Sequence, residues 1–233
     1  MTKPSKDISW KEILVKFQTA GIMPAPYSYF YTVALRPGVQ GMGVELTLRY
    51  LDRDELDEES ILDEGFTLDD DYAWHGTLPT VWQQELSRMI HPDELTPRHN
   101  YTENDNFIEV VLTDPAGQSE SWFPKDEEAW NYFQHELLQA IYEASDKENP
   151  FIAEYMEVDG RNELRISLLA TFEDRVLTMK LDAADPVALP WTRTREIMET
   201  IFRADFIAEY AQEKNPSQNG TYLSIGDGLW YKF

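Results

Sequence analysis

Between Asp126 and Phe151 the apolar positions Trp130, Phe133, Leu137, Leu138 and Ile141 recur at the spacing of one helix face, which predicts a helix. Asp126 stands where an N-cap would, and Glu127 and Glu128 follow in the first turn, facing the positive end of the helix dipole. Pro150 closes the stretch, because proline disfavours helical geometry in the residue before it. Three further helical periods are readable. Ser9 with Glu12 fits a capping box, Trp10, Ile13, Leu14 and Phe17 line one face, and Gly21 is the stop. After Leu78-Pro79, Thr80 caps, Gln83 completes the box, and Trp82, Leu86, Met89 and Ile90 form a stripe that Pro92 ends. After Leu189-Pro190 a helix carries Ile197, Met198, Ile201 and Phe202 and extends through Ile207 and Tyr210.

Between these helices the period changes to two. Tyr27 to Arg36 is rich in aromatic and β-branched residues, Pro37-Gly38 turns, and Val44, Leu46, Leu48 and Tyr50 alternate cleanly along Gly43 to Leu51. A strand over roughly Gly65 to Trp74 follows. Phe107 to Thr113 and Ser119 to Phe123 form a hairpin around Pro115 to Gly117. Phe151 to Val158 and Glu163 to Phe172 flank Asp159-Gly160, a tight-turn signal. Arg175 to Leu181 alternates again, and Thr221 to Ile225 and Leu229 to Phe233 close around Asp227-Gly228.

Laid side by side, the two halves repeat. Trp10 corresponds to Trp130, Leu78-Pro79 to Leu189-Pro190, and Trp122-Phe123 to Trp230-Tyr231. The expected fold is α+β, with two similar units of α-β-β-(β)-α-β-β order, each an antiparallel sheet packed on helices. The first unit spans 1–125 with an acidic insert at 52–71, and the second spans 126–233. In this order of elements the chain resembles the type III secretion chaperones and the YbjN-like proteins. The best local match is the strand Val176 to Leu181, the helix Glu196 to Phe202 and the hairpin Thr221 to Tyr231. The resemblance implies a small, acidic, dimeric, non-enzymatic protein that binds extended segments of other proteins. The tandem arrangement and the acidic insert depart from that pattern.

Forty-three acids against twenty bases give a net charge of −23. That balance argues against direct binding to duplex backbone, where basic contacts supply most of the affinity, and favours basic partners. The absence of cysteine excludes disulfides and thiolate metal sites. No apolar run approaches the roughly 20 residues of a membrane span, and the N-terminus lacks the apolar core of a signal peptide, so a cytoplasmic protein is expected.

Candidate chemistry is sparse. His75, His91, His99 and His135 show no metal-ligand spacing, and no GxSxG, P-loop or GxGxxG motif is present. Asp52 to Asp57 begins like a calcium loop without its glycine, and Asp69, Asp70 and Asp71 could form a carboxylate cluster for Mg²⁺ or Ca²⁺, though a solvated loop is the simpler reading. No catalytic residue, cofactor or metal is expected. Tyr27, Tyr29 and Tyr31 share one face of a strand, and Trp122 and Trp230 lie in terminal hairpins. Their simplest role is sheet packing. The functional reading makes them, with Asp69, Asp70 and Asp71, a surface that holds another chain's extended segment, and an exposed sheet edge can accept such a segment as well.

The expected function is therefore a chaperone- or adaptor-like protein-binding module, a homodimer, whose partner carries a basic or disordered segment, a DNA-binding protein for example. The alternatives are a metal-dependent hydrolase built on the acidic insert and an acidic inhibitor or immunity protein.

Overall fold

Along Glu12–Gln18, Ile13, Val15 and Phe17 are buried and the residues between them are not, so the first element among the described residues is a strand, β1. The helix expected from Ser9 to Gly21 is not formed. Trp10, Ile13, Leu14 and Phe17 do fit a helix face, but the β-branched Ile13 and Val15 sit equally well on a two-residue period, and pairing with two neighbouring strands decides between them. The computed structural model describes residues 10–99, 101–204 and 211–232. Ser9, Ile207, Tyr210 and Phe233 lie outside the described residues. The chain is α+β, with two antiparallel sheets, and it divides into two compact units, Met1–Ile141 and Tyr142–Phe233.

The first unit continues with β2 (Tyr29–Pro37), β3 (Met42–Tyr50), the short helix α1 (Glu58–Asp63), β4 (Tyr72–Leu78) and α2 (Val81–Met89). It closes with β5 (Leu95–Thr96), β6 (Phe107–Thr113), β7 (Ser119–Pro124) and most of α3 (Glu127–Ala144). The strands form one seven-stranded sheet in the order β4-β3-β2-β1-β6-β7-β5. One face collects Ile13, Val33, Leu46, Val110 and their neighbours against Trp82 and Leu86 of α2 and Trp130, Phe133 and Leu137 of α3. The Tyr31 hydroxyl donates to Gln134 Oε1 at 2.7 Å, tying β2 to α3. Asp126 is the N-cap of α3, its Oδ1 accepting the Ala129 amide at 2.9 Å. At α2 the capping box does not form: Thr80 makes no side-chain cap, and Gln83 donates instead to the Gly38 carbonyl at 2.7 Å.

The strand expected over Gly65 to Trp74 starts later, at Tyr72. Asp70 takes the Thr67 amide and hydroxyl and bends the chain, and Asp71 takes the Tyr50 amide at 2.9 Å, which marks where pairing with β3 begins. Among the described residues the first unit thus starts with a strand in place of the expected helix and carries a two-residue β5, so its order differs from the α-β-β-β-α-β-β expected of it.

The second unit holds β8 (Phe151–Asp159), β9 (Asn162–Thr171), β10 (Val176–Leu181), β11 (Val187–Leu189), α4 (Arg193–Phe202), β12 (Gly220–Ser224) and β13 (Tyr231–Lys232). Its six-stranded sheet runs β11-β10-β9-β8-β12-β13. Gly160, at a φ of 63°, turns β8 into β9 as the Asp-Gly signal predicts. Ala153 and Leu223 pack with Ile201 of α4 on one face, while Met156, Val158, Tyr222 and Trp230 form a cluster on the other. The expected boundary at 125/126 and the observed division at 141/142 differ by most of α3, whose Trp130 and Phe133 pack among first-unit side chains.

Candidate partner-binding site

On the core-facing side of the first sheet, Phe17, Tyr31, Tyr29 and Tyr50 stand in a row across β1, β2 and β3. Register places Phe17 opposite Tyr31 and Tyr29 opposite Tyr50. Phe17 stacks on Tyr31 and Tyr29, with ring centroids 4.9 and 5.5 Å apart, and Tyr50 meets Tyr29 at 6.0 Å with the two rings tilted by 56°. The helices cover the Phe17–Tyr31 end of the row, and the acidic insert folds over the other. Phe66 from the insert meets Tyr50 at 5.6 Å and Tyr27 at 5.3 Å, both edge to face.

The insert is ordered around its single base. The Arg53 guanidinium lies 3.7 Å from the Tyr50 ring centre and 4.7 Å from that of Phe66, and it donates to Asp70 Oδ2 at 2.7 Å and to the Thr67 carbonyl at 3.0 Å. Its Nε is buried with no partner. Asp57 caps α1 by accepting the Ser60 amide at 2.9 Å, and Ile61 is buried beneath it. Burial pushes the Asp70 carboxyl up, but the hydrogen bonds from Thr67 and Arg53 outweigh it and hold the group below its ordinary value. Burial raises the Tyr29 and Tyr50 hydroxyls, and the hydrogen bond to Glu64 raises that of Tyr27.

Of the residues singled out from the sequence, the structure unites some and separates others. Tyr27 is 41% exposed and its hydroxyl binds Glu64, while Tyr29 is half-buried in the ring row. Asp69 and Asp71 are exposed at the entry to β4, beside the partly covered Asp70. Tyr31, at 2% exposure, is a core residue and presents nothing to a partner. Trp122 and Trp230, at 3% and 5%, are likewise enclosed, because they face their sheets' interiors; Trp230 also pairs through its backbone with Gln212. Arg53 and Phe66, which organise the site, were not singled out. Their signal was a lone base and a lone ring inside a run of eleven acids.

Met23 before β2 and Leu62 and Leu68 in the insert are more than two-fifths exposed. The site is therefore a half-covered aromatic surface bordered by Glu64, Asp70 and Asp71, with the exposed Asp69 next to them in the chain. Among the described residues no three His, Asp or Glu side chains gather as a metal-binding group, and no helix is long and apolar enough to cross a membrane. No family model, curated protein or solved structure matches the chain.

Proposed function

We propose that this chain is a non-catalytic, chaperone- or adaptor-like module of the cytoplasm that holds a basic or disordered segment of another protein. The observation that carries the reading is the half-exposed ring surface of Tyr27, Tyr29, Tyr50 and Phe66 bordered by carboxylates. Apolar side chains of a bound segment would cover the rings, and its lysines and arginines would meet Glu64, Asp69 and Asp71. Arginine also stacks on such rings, as Arg53 does within the chain. The net charge of −23 would raise the rate of encounter with such a segment. The resemblance to secretion chaperones and YbjN-like proteins, and the kinship of the two units, belong to the same proposal and point to the same class of function.

The test is fluorescence anisotropy with a labelled Lys/Arg-rich peptide carrying interspersed Leu and Val. Binding at low salt is expected, weakened about five-fold or more by Phe66→Ala, the effect of losing one aromatic anchor. Asp69→Asn with Asp71→Asn should weaken it further. Absence of binding at low salt, or equal affinity in all variants, would overturn the reading.

A further inference from the structure

We propose that β4 is a strand-addition edge, on which a partner's basic segment is held in extended form as an eighth strand of the first sheet. This rests on the partner-binding reading above and specifies how the segment is held. The two sheets present four outer strands: β5, β11, β13 and β4. The first three have two, three and two residues, too short to template a partner. β4 has seven, Tyr72–Leu78, with no Lys, Arg, Asp, Glu or Pro among them. Sheets ordinarily blunt long edges with charge, proline, bulges or a covering element. In a chain with 27% charged residues, an uncharged edge of this length is the exception.

The backbone direction follows from two hydrogen bonds. The Tyr50 amide points to the β4 side, where it reaches Asp71, and the Leu51 amide points to the β2 side, where it reaches the Ser28 carbonyl. Alternation along β3 then directs the polar groups of Leu48, Leu46 and Val44 at their partners Tyr72, Trp74 and Gly76. Ala73, His75 and Thr77 therefore aim their N–H and C=O groups away from the sheet, at the two-residue spacing an added strand requires. Among the described residues no strand pairs with that side.

The flanking surfaces suit an extended chain. On the outer face, a groove of about 610 Å³ runs along β3 and β4 between Arg36, Glu45, Thr47, Ala73, His75 and Thr77. On the opposite face stand Tyr72 and Trp74, the Trp74 ring lying over Gly76, where a Cβ would come within 2.2 Å of it. Alternate apolar side chains of an added strand would rest on these rings, as in other strand-addition complexes. β4 begins directly after Asp69, Asp70 and Asp71, of which Asp69 and Asp71 are exposed, so the end of the added strand beside Tyr72 lies next to carboxylates and favours Lys or Arg there. A second copy would bring its own charge of −23 to the edge, so a basic segment of another protein is the better match.

The test uses the full chain and a peptide of about ten residues, alternating Val and Thr with two terminal Lys residues, followed by anisotropy. His75→Pro removes one outward N–H and leaves the β3 ladder intact, which an edge strand tolerates. His75→Thr keeps that N–H. The expected result is about ten-fold or greater loss with His75→Pro and a change within about two-fold with His75→Thr, because main-chain hydrogen bonds carry the contact. Should His75→Pro fail to fold, peptides N-methylated at alternate amides test the same contact on the natural chain, and one of the two methylation registers should lose binding. Full affinity with His75→Pro or with both methylated peptides, alongside loss with Phe66→Ala, would overturn the edge and leave the ring surface standing. Absence of peptide binding to the natural chain would overturn both. A dimer of the free chain that His75→Pro dissolves would overturn the heterologous partner in favour of a second copy.

Discussion

Arg53 concentrates several interactions in one side chain, so its removal should loosen a whole segment. Arg53→Ala deletes the ring contacts and the pair with Asp70, each of order 1–2 kcal/mol when partly covered. Hydrogen exchange is expected to accelerate at least ten-fold over residues 66–71 and to stay slow in β1 and β6. The depressed Asp70 carboxyl stabilises the insert above the ordinary aspartate value of about 3.9, and this contribution is lost as the pH falls below it. Tyr101 presents the opposite case. Its hydroxyl donates to the Ile108 carbonyl at 2.7 Å and accepts the Ile108 amide at 2.8 Å, and burial pushes its pKa up to about 12. The neutral phenol therefore stabilises the fold fully below about pH 10, its unfolded value, and that stabilisation disappears as the pH rises towards 12. Tyr101→Phe should cost about 1–3 kcal/mol in denaturant unfolding at pH 7, the cost of leaving a buried amide unsatisfied, and should flatten the alkaline limb.

Among the elements, α3 makes the most consequential packing. Its period was legible because Trp130, Phe133, Leu137 and Ile141 all fall on one side, and all four are buried. Asp126→Ala should remove about 1 kcal/mol through the lost cap, read as a fall of roughly 2–4 °C in melting temperature for a chain of this size. Trp130→Ala should cost about 3–5 kcal/mol, since a filled interior position is emptied. β1 shows the limit of reading periods. In Glu12–Gln18 the apolar Ile13, Leu14, Val15 and Phe17 contain both a helix-like set (13, 14, 17) and an alternating set (13, 15, 17), and only the partners available in space choose between them. β5 and β11 are not readable from the sequence, because two or three residues carry no period at all.

The molecule as a whole is governed by its charge. Raising NaCl from about 50 to 500 mM shortens the Debye length from roughly 14 to 4 Å, so affinity for a basic peptide should fall by an order of magnitude or more. Over the same range the free chain should melt at a higher temperature, because screening relieves repulsion among forty-three acids. A binding affinity indifferent to salt would show that the carboxylate border takes no part.

Local chemistry settled much from the chain alone: the α+β class, most strand positions, the turn at Gly160, the cap at Asp126 and the acidity. Each depends on residues within a few positions of one another, so near neighbours carry the information. Folding alone decided which rings are covered. Tyr29 and Tyr31 are two residues apart on one strand face, yet Tyr31 bonds to Gln134, 103 positions away, and vanishes into the core, while Tyr29 remains half-open beneath the insert. The same holds for β4, whose outward-facing backbone depends on which strand the sheet lacks beside it. Burial and edge status are properties of distant contacts, which no local pattern records.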